Sequence, residues 1–359
     1  MKKRVGILTA GGDCPGLNAT IRGVAKALYV RMGDNVEIIG ILNGYHGLIN
    51  GDYKKMQPDD FRGLLTLGGT ILGTKRTPFK MMQVIGEDKV DKVAAMKKTY
   101  NDLHLDCLLC LGGNGTHKTA NLLSEHGVNV VTLPKTIDND LWGTEMTFGF
   151  QSAIDIATSV IDSIHSTAFS HSRVFIVEIM GHKAGWLTLY AGIASGADVI
   201  VIPEIPYSAE KIAQAIQKRQ DSGKQFSILA VAEGAISKEE AKMSKKEFKA
   251  AREAMTQPSI SYRIADELKE LTGQEIRVTI PGHYQRGGIP CAADRLLTSR
   301  LGVAAAQLIQ QKKFGYMVAI QSNQIVPVPL KDVAGKLKTV PPDGEIVRAA
   351  RALGLSMGD

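Results

Sequence analysis

The sequence predicts an α/β fold of two lobes, each a mainly parallel sheet flanked by helices, with an active site expected in the cleft between them. Three observations carry that expectation. Short apolar runs rich in Val, Ile and Leu alternate with longer stretches of helical periodicity from the first residues onward. Several of these runs end in glycine-rich turns, and the alternation restarts after Asp140 without a low-complexity linker. In open α/β sheets ligands lie beyond the carboxyl ends of strands, so those turns are where function is sought.

In order, residues 4–9 read as a buried strand, 17–32 as a helix and 36–42 as a second strand. A helix at 87–101, a strand at 106–111, a helix at 114–126 and a strand at 128–133 follow. Repeated units of this kind imply parallel pairing with both faces of the sheet covered. Beyond Asp140 the pattern gives a long helix at 150–169, strand 173–180, helix 183–195, strand 198–203, helix 209–220 and strand 226–232. A charged helical segment at 234–258 precedes helices at 260–272 and 292–311 around a strand at 275–280. The tail holds 316–330 and a helix at 344–352. One lobe is assigned residues 1–140 with about 258–312, the other 141–257 with about 313–359.

With 359 residues, 44% of them hydrophobic, the chain is long enough for one large or two medium cores. No apolar run reaches the roughly 18 residues a membrane span needs. The basic start Met1-Lys2-Lys3-Arg4 leads straight into a strand instead of a secretory apolar region, so a cytoplasmic protein with no membrane partner is expected. The net charge of +7 is spread over mixed-charge stretches such as 237–253, which points to anionic small molecules and away from nucleic acid. Of four cysteines, Cys107 and Cys110 have C-x-x-C spacing but lie in a strand, where positions three apart face opposite sides; this argues against a metal or redox pair. Cys14 and Cys291 read as free thiols.

The most informative stretch is Leu133-Pro134-Lys135-Thr136-Ile137-Asp138-Asn139-Asp140, where an apolar strand ends in a lysine, a threonine and two carboxylates. Acids two residues apart are tolerable beside a metal ion, a lysine or a polyphosphate–metal complex. Taken alone, the stretch is also compatible with a solvated loop and a helix cap. The first βα turn, residues 9–18, is glycine-rich and ends at a helix start, whose free amides favour an anion. A second such loop, Gly112-Gly113-Asn114-Gly115-Thr116, follows another buried strand, and residues 68–76 form a third glycine-rich stretch ending in Lys75 and Arg76. Neither of the first two loops has the G-x-G-x-x-G spacing of a dinucleotide fold, and no G-x-x-x-x-G-K-[ST] run occurs.

In the second half Arg173 opens a strand that ends at Met180-Gly181-His182-Lys183, Glu233 terminates another, and Arg277 leads into His283-Tyr284-Gln285-Arg286. Any one of these arginines alone reads as a surface ion pair. Together at strand ends, guanidinium forks for phosphate oxygens and a carboxylate for hydroxyls suit a sugar phosphate.

The motifs Gly11-Gly12-Asp13-x-Pro-Gly-x-Asn, Gly-Gly-x-Gly-Thr, Pro-x-Thr-Ile-Asp-Asn-Asp, Met-Gly-x-x-x-Gly and Gly-His-x-Gln-Arg-Gly-Gly, in this order, resemble the 6-phosphofructokinase family over about residues 4–320. The resemblance implies phosphoryl transfer from ATP to the 1-hydroxyl of fructose 6-phosphate with Mg²⁺. Asp138 is then the base, with Thr136 and Lys135 beside it. Gly12, Arg76, Gly113, Asn114, Gly115 and Thr116 correspond to the donor site, and Asn114, Asp138 and Asp140 to the metal environment. Met180, Gly181, His182, Glu233, His283 and Arg286, with Thr136 and Asp138, correspond to the sugar-phosphate site. Arg173 and Arg277 match arginines that reach it from a neighbouring subunit, which implies a homo-oligomer, a tetramer or a dimer. The tail beyond about Pro327 has no place in this resemblance.

Several positions depart from the pattern. Asn114 stands where ATP users carry an acid, and His182 where an arginine is usual, so that Lys183 is the cation available for the transition state. Arg22 is kept, but Lys26 and His165 replace effector-loop arginines, which leaves allosteric control open. Donor choice rests on two residues. Gly115 leaves room for an α-phosphate where pyrophosphate users carry a carboxylate, whereas Lys135 resembles those same users; exclusion is the stronger argument and favours ATP. A non-catalytic sugar-phosphate-binding subunit is the rival reading, against which the retained Thr136, Asp138 and Asp140 argue. Diacylglycerol and NAD kinases share a Gly-Gly-x-Gly-Thr loop but lack the Gly-His-x-Gln-Arg-Gly-Gly element.

Overall fold

A computed structural model describes residues 2–85 and 90–359. The strands are β1 (Lys3–Ala10), β2 (Val36–Ile41), β3 (Tyr53–Met56), β4 (Cys107–Gly112), β5 (Val130–Pro134), β6 (Val174–Ile179), β7 (Val199–Val201), β8 (Ser227–Ala232), β9 (Ile276–Thr279), β10 (Tyr316–Gln321) and β11 (Gln324–Pro329). Among the described residues they form two sheets, ordered β11-β10-β5-β4-β1-β2-β3 and β7-β8-β6-β9. The chain is therefore α/β, and it divides into two compact units.

The first unit comprises Met1–Ser152 and Arg286–Leu337. Its five inner strands run parallel, and β3 and β11 close the edges antiparallel. Strand β4 is buried along its whole length, as a strand covered on both faces must be. Leu8, Ile39, Leu108, Val130 and Met317 share one apolar cluster with Ala120 and Leu123 from the helix Asn114–Glu125. On this unit the helix Leu17–Met32 crosses Ala292–Gln310, and an ideal Cβ at Gly302 would fall 2.6 Å from the Gly23 carbonyl carbon. Only glycine permits that approach.

The second unit comprises Ala153–Gln285 and Lys338–Asp359, built on four parallel strands. Ile212 and Ile216 of the helix Ala209–Asp221 and Ile264 and Leu268 of Ile260–Thr272 pack onto Val174, Ile176, Leu229 and Val231. The amphipathic spacing that predicts both helices is thus spent on the sheet. Ser356 bridges Val199, so the end of the tail lies along β7.

Several expectations are corrected. The helix expected at 87–101 is seen at Lys92–Asp102, where the Asp91 carboxylate accepts from Ala94 N at 2.9 Å; residues 87–89 lie outside the described residues. The helix expected at 183–195 starts at Trp186, after a turn closed by Gly185. The charged segment 234–258 holds a 3₁₀ turn at Glu240–Lys242 and a helix of only nine residues, Lys245–Glu253, opened by a Ser244–Glu247 capping box. The helix Tyr45–Asn50 and β3 are absent from the sequence reading, because six and four residues are too few for a period to show.

The lobe boundaries also move. Helix Ile260–Thr272 and β9, assigned to the first lobe, belong to the second unit because β9 pairs with β6, Phe175 opposite Arg277. The hairpin β10–β11, assigned to the second lobe, extends the first sheet because Tyr316 pairs with Val131 of β5. Partners so distant in sequence leave no trace in local periodicity.

Candidate active site

In the first unit β5 delivers the acidic stretch, and its loop is closed at the base. Lys135 N donates to Gly112 O at 3.0 Å, and Phe148 N donates to Pro134 O at 3.1 Å. Across the loop Thr147 Oγ1 donates to Thr136 O at 2.7 Å. Asn139 Oδ1 accepts from Thr147 N at 3.0 Å while its Nδ2 donates to Glu145 O at 3.2 Å. Asn139 takes a left-handed φ of 51°, which a short polar side chain tolerates. Between these clasps Asp138 N donates to Thr136 Oγ1 at 3.0 Å. Half-buried Asp138 is therefore held beside buried Lys135, Thr136 and Asp140, an arrangement able to orient an alcohol and take its proton. Thr147 is a residue that sequence reasoning missed; the only signal for it was a threonine at the foot of a following helix.

The glycine-rich stretches are tied to the neighbouring strand end. Thr9 Oγ1 donates to Gly73 O at 2.8 Å, and Thr74 Oγ1 to Gly11 O at 2.6 Å. Asn18 grips the same stretch, Nδ2 donating to Gly68 O at 3.0 Å and Oδ1 accepting from Ile71 N at 2.8 Å. Arg76 is exposed at its end. Lys135 Nζ donates to Gly12 O, and burial lowers its pKa, opposed by the charges of Asp138 and Asp13. Arg286, expected among the sugar-phosphate residues, belongs to this unit and donates from Nη1 to Asp13 O at 3.1 Å. Its guanidinium occupies the space a side chain at Gly12 would need, 2.7 Å from an ideal Cβ.

The second loop opens the helix Asn114–Glu125, so its first amides have no intrahelical partner and favour phosphate. Gly113 caps that helix, and buried Thr116 lies on its first turn. Gly115 is exposed, and an ideal Cβ there meets nothing within 4 Å. Asn114 Nδ2 donates to Lys336 O at 2.8 Å. Asp294, also missed from sequence, is fully buried and accepts from Gly149 N at 3.0 Å, Ser152 N at 2.8 Å and Ser152 Oγ at 2.6 Å. It fixes the start of the helix Phe150–His171 just beyond the acidic loop. Burial pushes its carboxyl up, against the pull of those donors. Cys107 and Cys110 are buried free thiols in β4, and burial pushes Cys110 up to about 12.

In the second unit the end of β6 makes a rigid turn. Gly181 N and His182 N donate to Glu233 Oε1 at 3.1 and 2.7 Å, and Met180 N donates to Gln285 Oε1 at 3.2 Å. His182 has a left-handed φ of 53°, and its carbonyl approaches to 2.1 Å from where a Cβ on Gly234 would stand. Gly185 N, at the far side of the turn, donates to both oxygens of Glu204 at 3.0 Å. Met180, Gly181, His182 and Glu233 are thus brought together, with His182 and Lys183 exposed. His283 is exposed on the 3₁₀ turn Gly282–Arg286. Arg173 Nε pairs with Glu275 Oε2 at 2.6 Å, and Arg277 pairs with the same carboxylate. One exposed acid thus gathers both guanidinium groups at one edge.

Residues 4–309 match the family model described as phosphofructokinase. The ATP-dependent 6-phosphofructokinase of Spirochaeta thermophila is 57% identical over 357 residues, 99% of this chain and 97% of the relative. That of Propionibacterium freudenreichii subsp. shermanii is 47% identical over 381 residues, covering 100% of both. The pyrophosphate–fructose 6-phosphate 1-phosphotransferase of Amycolatopsis methanolica is 43% identical over 342 residues, 95% of this chain and 97% of the relative. Among solved structures, Pichia pastoris phosphofructokinase in the T-state aligns with a TM-score of 0.80 at 33% identity, over 93% of this chain and 35% of the other. The chain belongs to the phosphofructokinase family.

Proposed function

We propose that this protein transfers a phosphoryl group from ATP to the 1-hydroxyl of D-fructose 6-phosphate, giving fructose 1,6-bisphosphate. The observation that carries this reading is Asp138, whose backbone is clasped by its N–H on Thr136 Oγ1 and by the Thr147 bonds to Thr136 O and Asn139 Oδ1 at a strand end, beside two glycine-rich helix and strand termini. In this reading the first unit serves the donor and the second the sugar phosphate. Asp138 orients the sugar hydroxyl and accepts its proton, while the amides of Gly113 to Thr116 and the cations of Arg76 and Lys135 hold donor phosphates. Met180 to His182 form the wall that receives the sugar, Glu233 braces them, His283 supplies a polar contact to it, and Lys183 is the cation for the transition state. Arg286, held with its guanidinium on Asp13 O, is in this reading a cation for the sugar phosphate.

The residues fit Mg²⁺. Oxygen donors are present in Asn114 Oδ1, which is buried without a hydrogen-bond partner among the described residues, and in the Asp138 and Asp140 carboxylates. Among the described residues no group of three His, Cys, Asp or Glu could cage a metal, but Mg²⁺ in phosphoryl-transfer sites is held by one or two carboxylates, phosphates and waters. When bound, Mg²⁺ neutralises charge on the phosphoryl oxygens.

Pyrophosphate as donor is the second reading, favoured by buried Lys135 on Gly12 O. Initial rates with ATP and with pyrophosphate, at fixed fructose 6-phosphate and Mg²⁺, decide between them. A higher kcat/KM for ATP is expected; a higher value for pyrophosphate overturns the donor assignment, and no turnover with either supports a non-catalytic subunit.

We place the protein in the cytoplasm as a homo-oligomer, a tetramer or a dimer, in which Arg173 and Arg277 complete the sugar-phosphate site of a neighbouring copy. Among the described residues no helix is long and apolar enough to cross a membrane. Mixing inactive Arg277→Ala subunits with inactive Asp138→Asn subunits is then expected to restore activity, because some hybrid sites draw each intact residue from a different chain. Absence of recovery after demonstrated subunit exchange counts against sharing.

A further inference from the structure

The segment that follows β11 lies outside residues 4–309 matched by the family model. Leu330 and Val333 are buried in the first unit's core, and Gly335, at a left-handed φ of 86°, turns the chain so that Lys336 O meets Asn114 Nδ2 at 2.8 Å. Leu337 then forms an antiparallel bridge with Leu141, the residue after Asp140. The segment is therefore fixed against both the helix that opens the donor loop and the exit of the acidic stretch. An amide side chain can ordinarily be reversed, but here reversal would set two acceptors face to face. The Lys336 carbonyl therefore decides which way Asn114 points. A carboxylate at 114, the acid usual in ATP-using relatives by the sequence resemblance, would meet that same carbonyl with repulsion and no hydrogen bond.

We propose that Asn114 and the Lys336 carbonyl are a positioning pair: the carbonyl demands a hydrogen-bond donor at 114, selects a carboxamide over an acid, and holds buried Oδ1 as a fixed neutral oxygen for the hydrated cation that accompanies the donor phosphates. The inference rests on the ATP reading above. It accounts for the Asn114 departure through a contact made by the tail, so the two features belong together.

The test is equilibrium titration with ATP, with and without Mg²⁺ and without sugar phosphate, alongside limited trypsin cleavage after exposed Lys336. At about pH 8 Asn114→Asp is expected to weaken Mg²⁺-dependent ATP binding about tenfold or more and to speed that cleavage, because the carbonyl loses its donor and faces a charge. Asn114→Ala removes the donor without adding a charge, and is expected to weaken Mg²⁺-dependent ATP binding and to speed the same cleavage. Gly335→Val strains a left-handed residue and displaces the carbonyl without touching Asn114, so it is expected to weaken ATP binding even if the Asp variant fails to fold. Unchanged or tighter ATP binding by Asn114→Asp at about pH 8, or unchanged affinity in Gly335→Val, overturns the pair. If wild type binds pyrophosphate and not ATP, the donor reading has failed, and the same variants are scored with pyrophosphate.

Discussion

Asp138→Asn is expected to lower kcat roughly 10²- to 10⁴-fold while fructose 6-phosphate binds close to wild type. The amide is nearly isosteric, so the backbone bond from residue 138 to Thr136 Oγ1 and the Asn139–Thr147 clasp survive. What is lost is a group able to take a proton as the alcohol attacks a phosphoryl centre. The measurement is kcat by coupled assay together with an independent Kd for fructose 6-phosphate. Near wild-type turnover would remove Asp138 from the base role, whereas loss of both binding and turnover would mark it as a residue of binding alone.

Gly115→Asp is expected to cut kcat/KM for ATP by orders of magnitude and to spare pyrophosphate. The space at this position is open, with nothing within 4 Å of an ideal Cβ, and the residue is the second of a helix whose first turn carries no acid. An acid there suits the helix dipole, so folding stability should hold or rise slightly. A loss of ATP use therefore reports chemistry and not damage. The introduced carboxylate would oppose an α-phosphate at close range, a like-charge contact costing several kcal/mol where water is partly excluded. Pyrophosphate has no α-phosphate to repel, and Lys135 remains on Gly12 O to hold its terminal group. The ratio of kcat/KM for the two donors is the quantity to measure; an unchanged ratio would mean that a glycine here does not set donor choice.

The sequence by itself determined the alternation of strands and helices, the glycine-rich turns and the acidic strand end, because each is written in neighbours a few residues apart. Leu17–Met32 and Ile260–Thr272 could be bounded from periodicity alone. Residues 133–140 could be ranked first because charged groups following a buried strand have few physical explanations. Tertiary structure alone decided the rest. Strand β10 joins β5, and β9 joins β6, through pairings that local pattern does not encode. Asp294 reaches Gly149 across 145 positions, and Asn114 reaches Lys336 across 222. Arg286 stands against the Gly12–Asp13 turn, and Glu275 gathers Arg173 and Arg277. A side-chain hydrogen bond is chosen by whichever backbone the folded core carries to within about 3 Å, and that distance exists only once the sheets have formed.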